Sequence, residues 1–189
     1  MATLVEVQTT QQVLTTARHL ASAGEANQYL TFTLVGEMFA VGILNVKEII
    51  EYGSLTAIPM MPAFIRGVIN LRGGVVPVID LAARFGGKKS EVGKRSCIVI
   101  VEMQQEGGRS DIGIMVDAVS EVLEITGAEI EPSPSFGARI RADFIAGMGK
   151  VDGHFVIILD ITRVLSTEEM ATLANVGGNA TEEAAVGTG

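Results

Sequence analysis

The sequence predicts a mainly β protein built as two lobes related by an internal repeat. Three observations lead there. Short stretches of alternating or wholly apolar residues recur between Gly-, Asn- and Asp-bearing turns, as sandwiches and barrels require. Tryptophan is absent, only 7 Phe and 2 Tyr occur, and 22 Gly are present, so the core rests on Val, Ile and Leu. Most informative, Ala63 to Leu81 (AFIRGVINLRGGVVPVIDL) aligns without gaps on Asp143 to Ile161 (DFIAGMGKVDGHFVIILDI), with Phe, Ile, two Gly, Val and Asp identical at matched places.

The elements follow in order. Residues 1–27 form a polar lead-in, partly helical or flexible, with apolar residues at Val13, Leu14, Ala17 and Leu20 suited to an amphipathic turn or two. Gln28 to Val35 alternates cleanly and predicts a half-buried strand, paired through Gly36-Glu37 with Met38 to Gly42. Ile43 to Ile50 fits a short helix nearly as well as an irregular strand. Further strands are expected over 67–71, 75–79, 97–103, 112–116, 145–149 and 155–159. Asp80 and Asp160 each stand where they cap one helical turn, and Ser166 with Glu169 has capping-box spacing for a helix through about Leu173. The tail at 176–189 is too small and polar to pack and is expected to be disordered.

A second, weaker block places Ala40 to Ile50 on Gly113 to Leu123, matching Val46 with Val119 and Glu48 with Glu121. Two copies of so small a module imply a shared interface about a pseudo-twofold, with a groove between lobes. The copies differ instructively. The first hairpin carries Arg66, Asn70 and Arg72 where the second has Ala146, Lys150 and Asp152, which marks those three as candidate recognition residues. A solvated hairpin tip is the commoner role for such residues.

Composition narrows the function classes. A net charge of −8 disfavours non-specific binding to nucleic acid or anionic membrane, and no window of the sequence has the unbroken apolar length of a spanning helix. With Cys97 alone no internal disulfide forms, the start lacks signal-peptide character, and a cytoplasmic location is expected. Two histidines, His19 and His154, assemble neither a triad nor a three-histidine metal site. The basic run Gly86 to Ser96 fails the spacing of a phosphate loop, and Gly147-Met-Gly149 lacks the third glycine of a dinucleotide fingerprint. No enzyme activity, metal or cofactor is expected.

With these residues in view, Phe64 to Leu81 closely resembles the signature of the CheW family through its Arg-Gly, Asn-Leu-Arg-Gly, Val-Pro and Asp-Leu elements. Tyr29 to Ile50, Ile114 to Ile125 and Phe144 to Asp160 are similar to the flanking parts of that family. The resemblance implies two intertwined SH3-like five-stranded β-barrel lobes with a few short helices, one near the C-terminus. The domain then spans 28–175, with lobe one over about 28–90, lobe two over about 91–165 and segments exchanged between them. It implies a chemotaxis adaptor that couples methyl-accepting chemoreceptors to the CheW-like regulatory domain of the histidine kinase CheA, recruited to membrane-associated arrays without inserting in the membrane. An adaptor of another chemosensory-type pathway, with motility or second-messenger output, is the second expectation. A small-molecule enzyme or sensor using the inter-lobe groove is a remote one. Carried over by position, Val46, Glu48, Gly67 and Arg72 fall among the family's partner contacts, as do Ile98, Val99 and Val122 in lobe two.

Overall fold

A computed structural model describes residues 8, 10–15, 27–53, 55–105, 108–132, 144–165 and 169. The fold is mainly β, with two sheets and a few short helical turns. The capping box at Ser166, the helix through Leu173, the tail at 176–189 and the lead-in positions Ala17 and Leu20 lie outside the described residues.

Among the described residues eleven strands form in chain order: β1 (Gln28–Leu34), β2 (Glu37–Gly42), β3 (Val46–Glu51), β4 (Ile65–Leu71), β5 (Gly74–Asp80), β6 (Cys97–Gln105), β7 (Gly108–Val116), β8 (Ala118–Glu124), β9 (Ile130–Glu131), β10 (Ile145–Val151) and β11 (His154–Leu159). The ambiguous segment divides into a 3-10 turn, Ile43–Asn45, followed by β3. Asp80 caps a four-residue helix, Leu81–Arg84, through the Ala83 N–H, and Asp160 caps the 3-10 turn Ile161–Arg163 through the Thr162 N–H.

The sheets run β3-β6-β7-β5-β4 and β8-β1-β2-β11-β10-β9. Neither is built from a continuous stretch of chain. Strands β6 and β7 join the hairpin β4–β5, while β1 and β2 join the hairpin β10–β11. The repeat explains the arrangement, because β3, β4, β5, β6 and β7 correspond in order to β8, β10, β11, β1 and β2. The register corresponds as well: β5 pairs parallel with β7 at Val78–Gly113, and β11 pairs parallel with β2 at Ile158–Ala40. Each hairpin has the same bulge, before Gly67 and before Gly147. Each turns through two left-handed residues, Arg72-Gly73 (φ 52° and 83°) and Asp152-Gly153 (φ 51° and 78°), the geometry of a two-residue hairpin that matches strand twist. The expectation of five strands per lobe holds for one sheet; the other adds the two-residue β9 against β10. In the first sheet the same place holds a lone bridge, Thr56–Val68.

Among the described residues three apolar clusters form. The largest lies between the sheets and takes Leu30, Phe32, Leu34, Phe39 and Val41 from one and Val46, Ile49, Val99, Val101, Ile114 and Val116 from the other. Leu14, from the helical segment at 10–15, is wholly buried there, and the Gln11 side chain accepts the Ile49 N–H at the β3 edge (2.8 Å). A second cluster, with Val76, Val78, Ile98, Ile100 and Met115, backs the five-stranded sheet; a third, with Ala40, Ile125, Val156 and Ile158, backs the other. Both faces of each sheet are therefore buried, which is why β6 reads as a continuous apolar run.

Candidate functional site

The Asn70–Arg72 hairpin tip is the part of the five-stranded sheet where three of the proposed recognition residues, Glu48, Asn70 and Arg72, meet. Strands β3 and β4 are the two edges of that sheet, with β6, β7 and β5 between them. Side chains nevertheless link these edges. Arg72 Nη2 donates to Glu48 Oε2 at 2.9 Å, and the Arg66 guanidinium lies over the Tyr52 ring, 5.9 Å from its centroid. The sheet thus curls until its edges are tied by two arginines, and both tied residues of β3's chain, Glu48 and Tyr52, stand on the side that faces the second apolar cluster.

The two arginines differ in setting. Arg72 is 79% exposed while its partner Glu48 is only 15% exposed, so a half-sunken carboxylate is covered by a guanidinium with donors left facing solvent. Arg66 is 18% exposed and approaches the fully buried Asp80 carboxylate at 4.0 Å. Asp80 also accepts from the Ser90 N–H (2.7 Å) and hydroxyl (2.8 Å), which folds the loop after Leu81–Arg84 back onto the sheet. Asn70 Oδ1 accepts the Gly73 N–H at 3.1 Å and holds the turn that presents Arg72.

Not every expected contact residue reaches the surface. Val46 and Ile98 are wholly buried and Val99 is 1% exposed, so these three shape the sheet from beneath. Ile98 and Val99 also belong with Val46, since β6 pairs with β3 at Ile50–Ile98 and Ile49–Val99; they sit in the sheet of the first hairpin, not in that of the second. Gly67 is buried for a steric reason: at φ 148° a Cβ there would lie 2.4 Å from the Thr56 carbonyl oxygen. Val122 is half-buried on β8 in the other sheet, against the central cluster. The structure therefore brings Glu48 and Arg72 together beside the Asn70 turn, places Arg66 at the other end of β4 against Tyr52 and Asp80, and leaves Val122 on the other sheet.

The matching patch of the second sheet has different chemistry. Glu48 corresponds to Glu121 and Arg72 to Asp152, two acids that do not pair, and Arg66 corresponds to Ala146. The exposed Phe155 follows that turn. Sequence reasoning missed Tyr52, whose role depends on curling, and the ion-paired group Lys47, Glu102, Asp111 and Arg109 at the β6–β7 end. A small cavity in the central cluster is lined by Ile79, Leu81, Val101, Met103, Ile161 and neighbouring apolar residues, with no polar side chain converging on it. Among the described residues no group of three His, Cys, Asp or Glu is placed to hold a metal, and no helix is long and apolar enough to cross a membrane.

Comparison with known proteins matches residues 28–169 to the CheW-like domain model. A chemotaxis protein CheW from Klebsiella aerogenes is 36% identical over 163 residues, covering 86% of this chain and 96% of that protein. Protein FrzA from Myxococcus xanthus is 28% identical over 160 residues, covering 83% and 97%. The crystal structure of the scaffolding protein TtCheW from Thermoanaerobacter tengcongensis superposes with a TM-score of 0.68 at 38% identity, covering 76% of this chain and 90% of that one.

Proposed function

The chain belongs to the CheW-like domain family, and from that premise we propose that it is a non-catalytic scaffold of chemotaxis, coupling methyl-accepting receptors to the CheW-like regulatory domain of the kinase CheA. The observation that carries the reading is the exposed Asn70–Arg72 tip within the matched span, where Arg72 keeps donors toward solvent while it covers Glu48. Two sheets that share a five-strand order but differ in surface suit an adaptor, because each face selects its own partner through charge. Arg72 and Glu48 serve as one contact group, Arg66 and Asn70 support them, and Val122 belongs to a contact on the other sheet. Val46, Gly67, Ile98 and Val99 act by keeping β3 and β4 in shape. The protein works in the cytoplasm and joins membrane-associated arrays through these contacts, with many weak contacts adding up by avidity.

Titration calorimetry with the CheA regulatory domain and a receptor tip tests the reading. Arg72→Ala is expected to remain folded and to weaken at least one partner about 5- to 30-fold, equivalent to about 1–2 kcal/mol. Val122→Glu is expected to weaken a different one. Unchanged affinity of Arg72→Ala for both partners removes this patch from the site.

A second reading, an adaptor of another chemosensory-type pathway, is favoured by the similarity to Protein FrzA, a relative whose name does not mention chemotaxis. Failure to bind CheA, together with capture of the regulatory domain of a paralogous kinase, selects it.

A further inference from the structure

The repeat is also broken at the seam between the two sheets. Residue 84, the last of the helix Leu81–Arg84 after β5, is arginine, and the same position of the second copy is Val164. Arg84 Nε donates to the Val164 carbonyl oxygen at 2.8 Å, so the side chain binds the backbone of its own repeat counterpart. The guanidinium lies between Phe64 and Phe144, 5.0 Å and 5.1 Å from their ring centroids. Those two rings are themselves repeat counterparts, and each residue's carbonyl accepts the N–H of the equivalent aspartate, Asp80 or Asp160. Arg84 therefore occupies the pseudo-twofold axis, with one ring from each sheet's hairpin on either side.

A group on such an axis cannot be duplicated. Two arginines there would bring like charges into contact in a half-dry space, so a single cation fits and the other copy contributes a carbonyl. The cation is 16% exposed and is completed by Glu169, whose Oε1 accepts from Nη2 at 3.1 Å. The next residue, Phe85, also crosses between sheets, stacking on Phe39 at 5.9 Å and meeting Phe144 at 5.8 Å.

We propose that Arg84 is the joint that sets the angle between the two lobes, and that Glu169 is a latch from the C-terminal segment that locks it. Removal of the latch leaves each sheet intact and widens the range of angles between them. The cause is that the central cluster is apolar and non-directional, whereas the Arg84 fork ties the helix after β5 by directed bonds to Val164 and Glu169 beyond β11, at the opposite end of the seam from the bonds of Asp117 to Thr33 and Val35. The joint stands apart from the adaptor reading, since it is measured on the isolated chain.

Pulsed electron–electron resonance tests it, with spin labels at Glu51→Cys on the five-stranded sheet and His154→Cys on the other, in a Cys97→Ala background. Both labelled positions are exposed. The parent gives one narrow distance distribution; Arg84→Met and Glu169→Gln are expected to broaden it and add a longer component, and Arg84→Lys to fall between. Circular dichroism establishes that each variant is folded. Should Arg84→Met not fold, Glu169→Gln decides alone. A folded Arg84→Met or Glu169→Gln whose distribution stays as narrow as the parent's overturns the proposal and leaves Arg84 as packing only.

Discussion

Gly67 shows how much a single position in this fold is fixed by backbone proximity. A Cβ at Gly67 meets a carbonyl oxygen that cannot turn aside, and its φ of 148° is one that side-chain-bearing residues avoid. At Gly147 the nearest atom is a side-chain methyl of Ile130, and the backbone contact, the Glu131 carbonyl oxygen, is looser at 3.1 Å. Gly67→Ala is therefore expected to cost about 2–4 kcal/mol in urea unfolding and Gly147→Ala less than half of that. Tyr29, on β1 beside the third cluster, is a titrating counterpart: burial raises its hydroxyl above the ordinary value of 10.0. The native state then holds that proton more tightly than the unfolded chain, so stability is full below pH 10 and declines as pH rises beyond it. Tyr29→Phe should flatten that decline in alkaline melts. Among the binding candidates, Arg66, Asn70 and Arg72 stand out in the sequence because they break the repeat. The burial of Val46, Ile98 and Val99 is less plain, although the unbroken run CIVIV is itself a sign of burial on both faces.

Among the elements, β3 and β8 were the hardest to read, and the pairing gives the cause. In β8, Val119 and Val122 oppose Phe32 and Leu30, with an extra residue between them; in β3, Val46 and Ile49 oppose Val101 and Val99 in the same manner. The bulge sets inward residues three apart, which is helical spacing, so periodicity cannot separate the two structures there. The clean alternation of β1 and the hairpin of β10 and β11 carries no such ambiguity. The aspartate caps supply a test of how far the copies have diverged. Asp80 is fully buried and holds the Ser90 loop, whereas Asp160 holds Thr162 at its own turn. Asp80→Ala is expected to lower stability by about 2–4 kcal/mol and Asp160→Ala by about 1 kcal/mol, as measured by thermal and denaturant unfolding.

At the scale of the whole molecule, the repeat predicted two related lobes, but the strand membership of each sheet is a long-range fact that local pattern does not contain. Because β1 and β2 complete the sheet of the second half and β6 and β7 that of the first, a cut in the loop at about residue 90 leaves each piece without partners for its strands. Fragments 1–90 and 91–189 are expected to be unfolded by circular dichroism when made singly and to recover a β spectrum when made together. Recovery by either fragment alone contradicts that interdependence. The same exchange has a consequence in time. The hairpin β1–β2 leaves the ribosome before the other described strands, yet its neighbours β8 and β11 end at Glu124 and Leu159. At about 5–20 residues per second the newborn hairpin, with Leu30, Phe32 and Phe39 uncovered, waits on the order of ten seconds for the strands that shelter it, making early synthesis the interval of greatest exposure to chaperones and to aggregation.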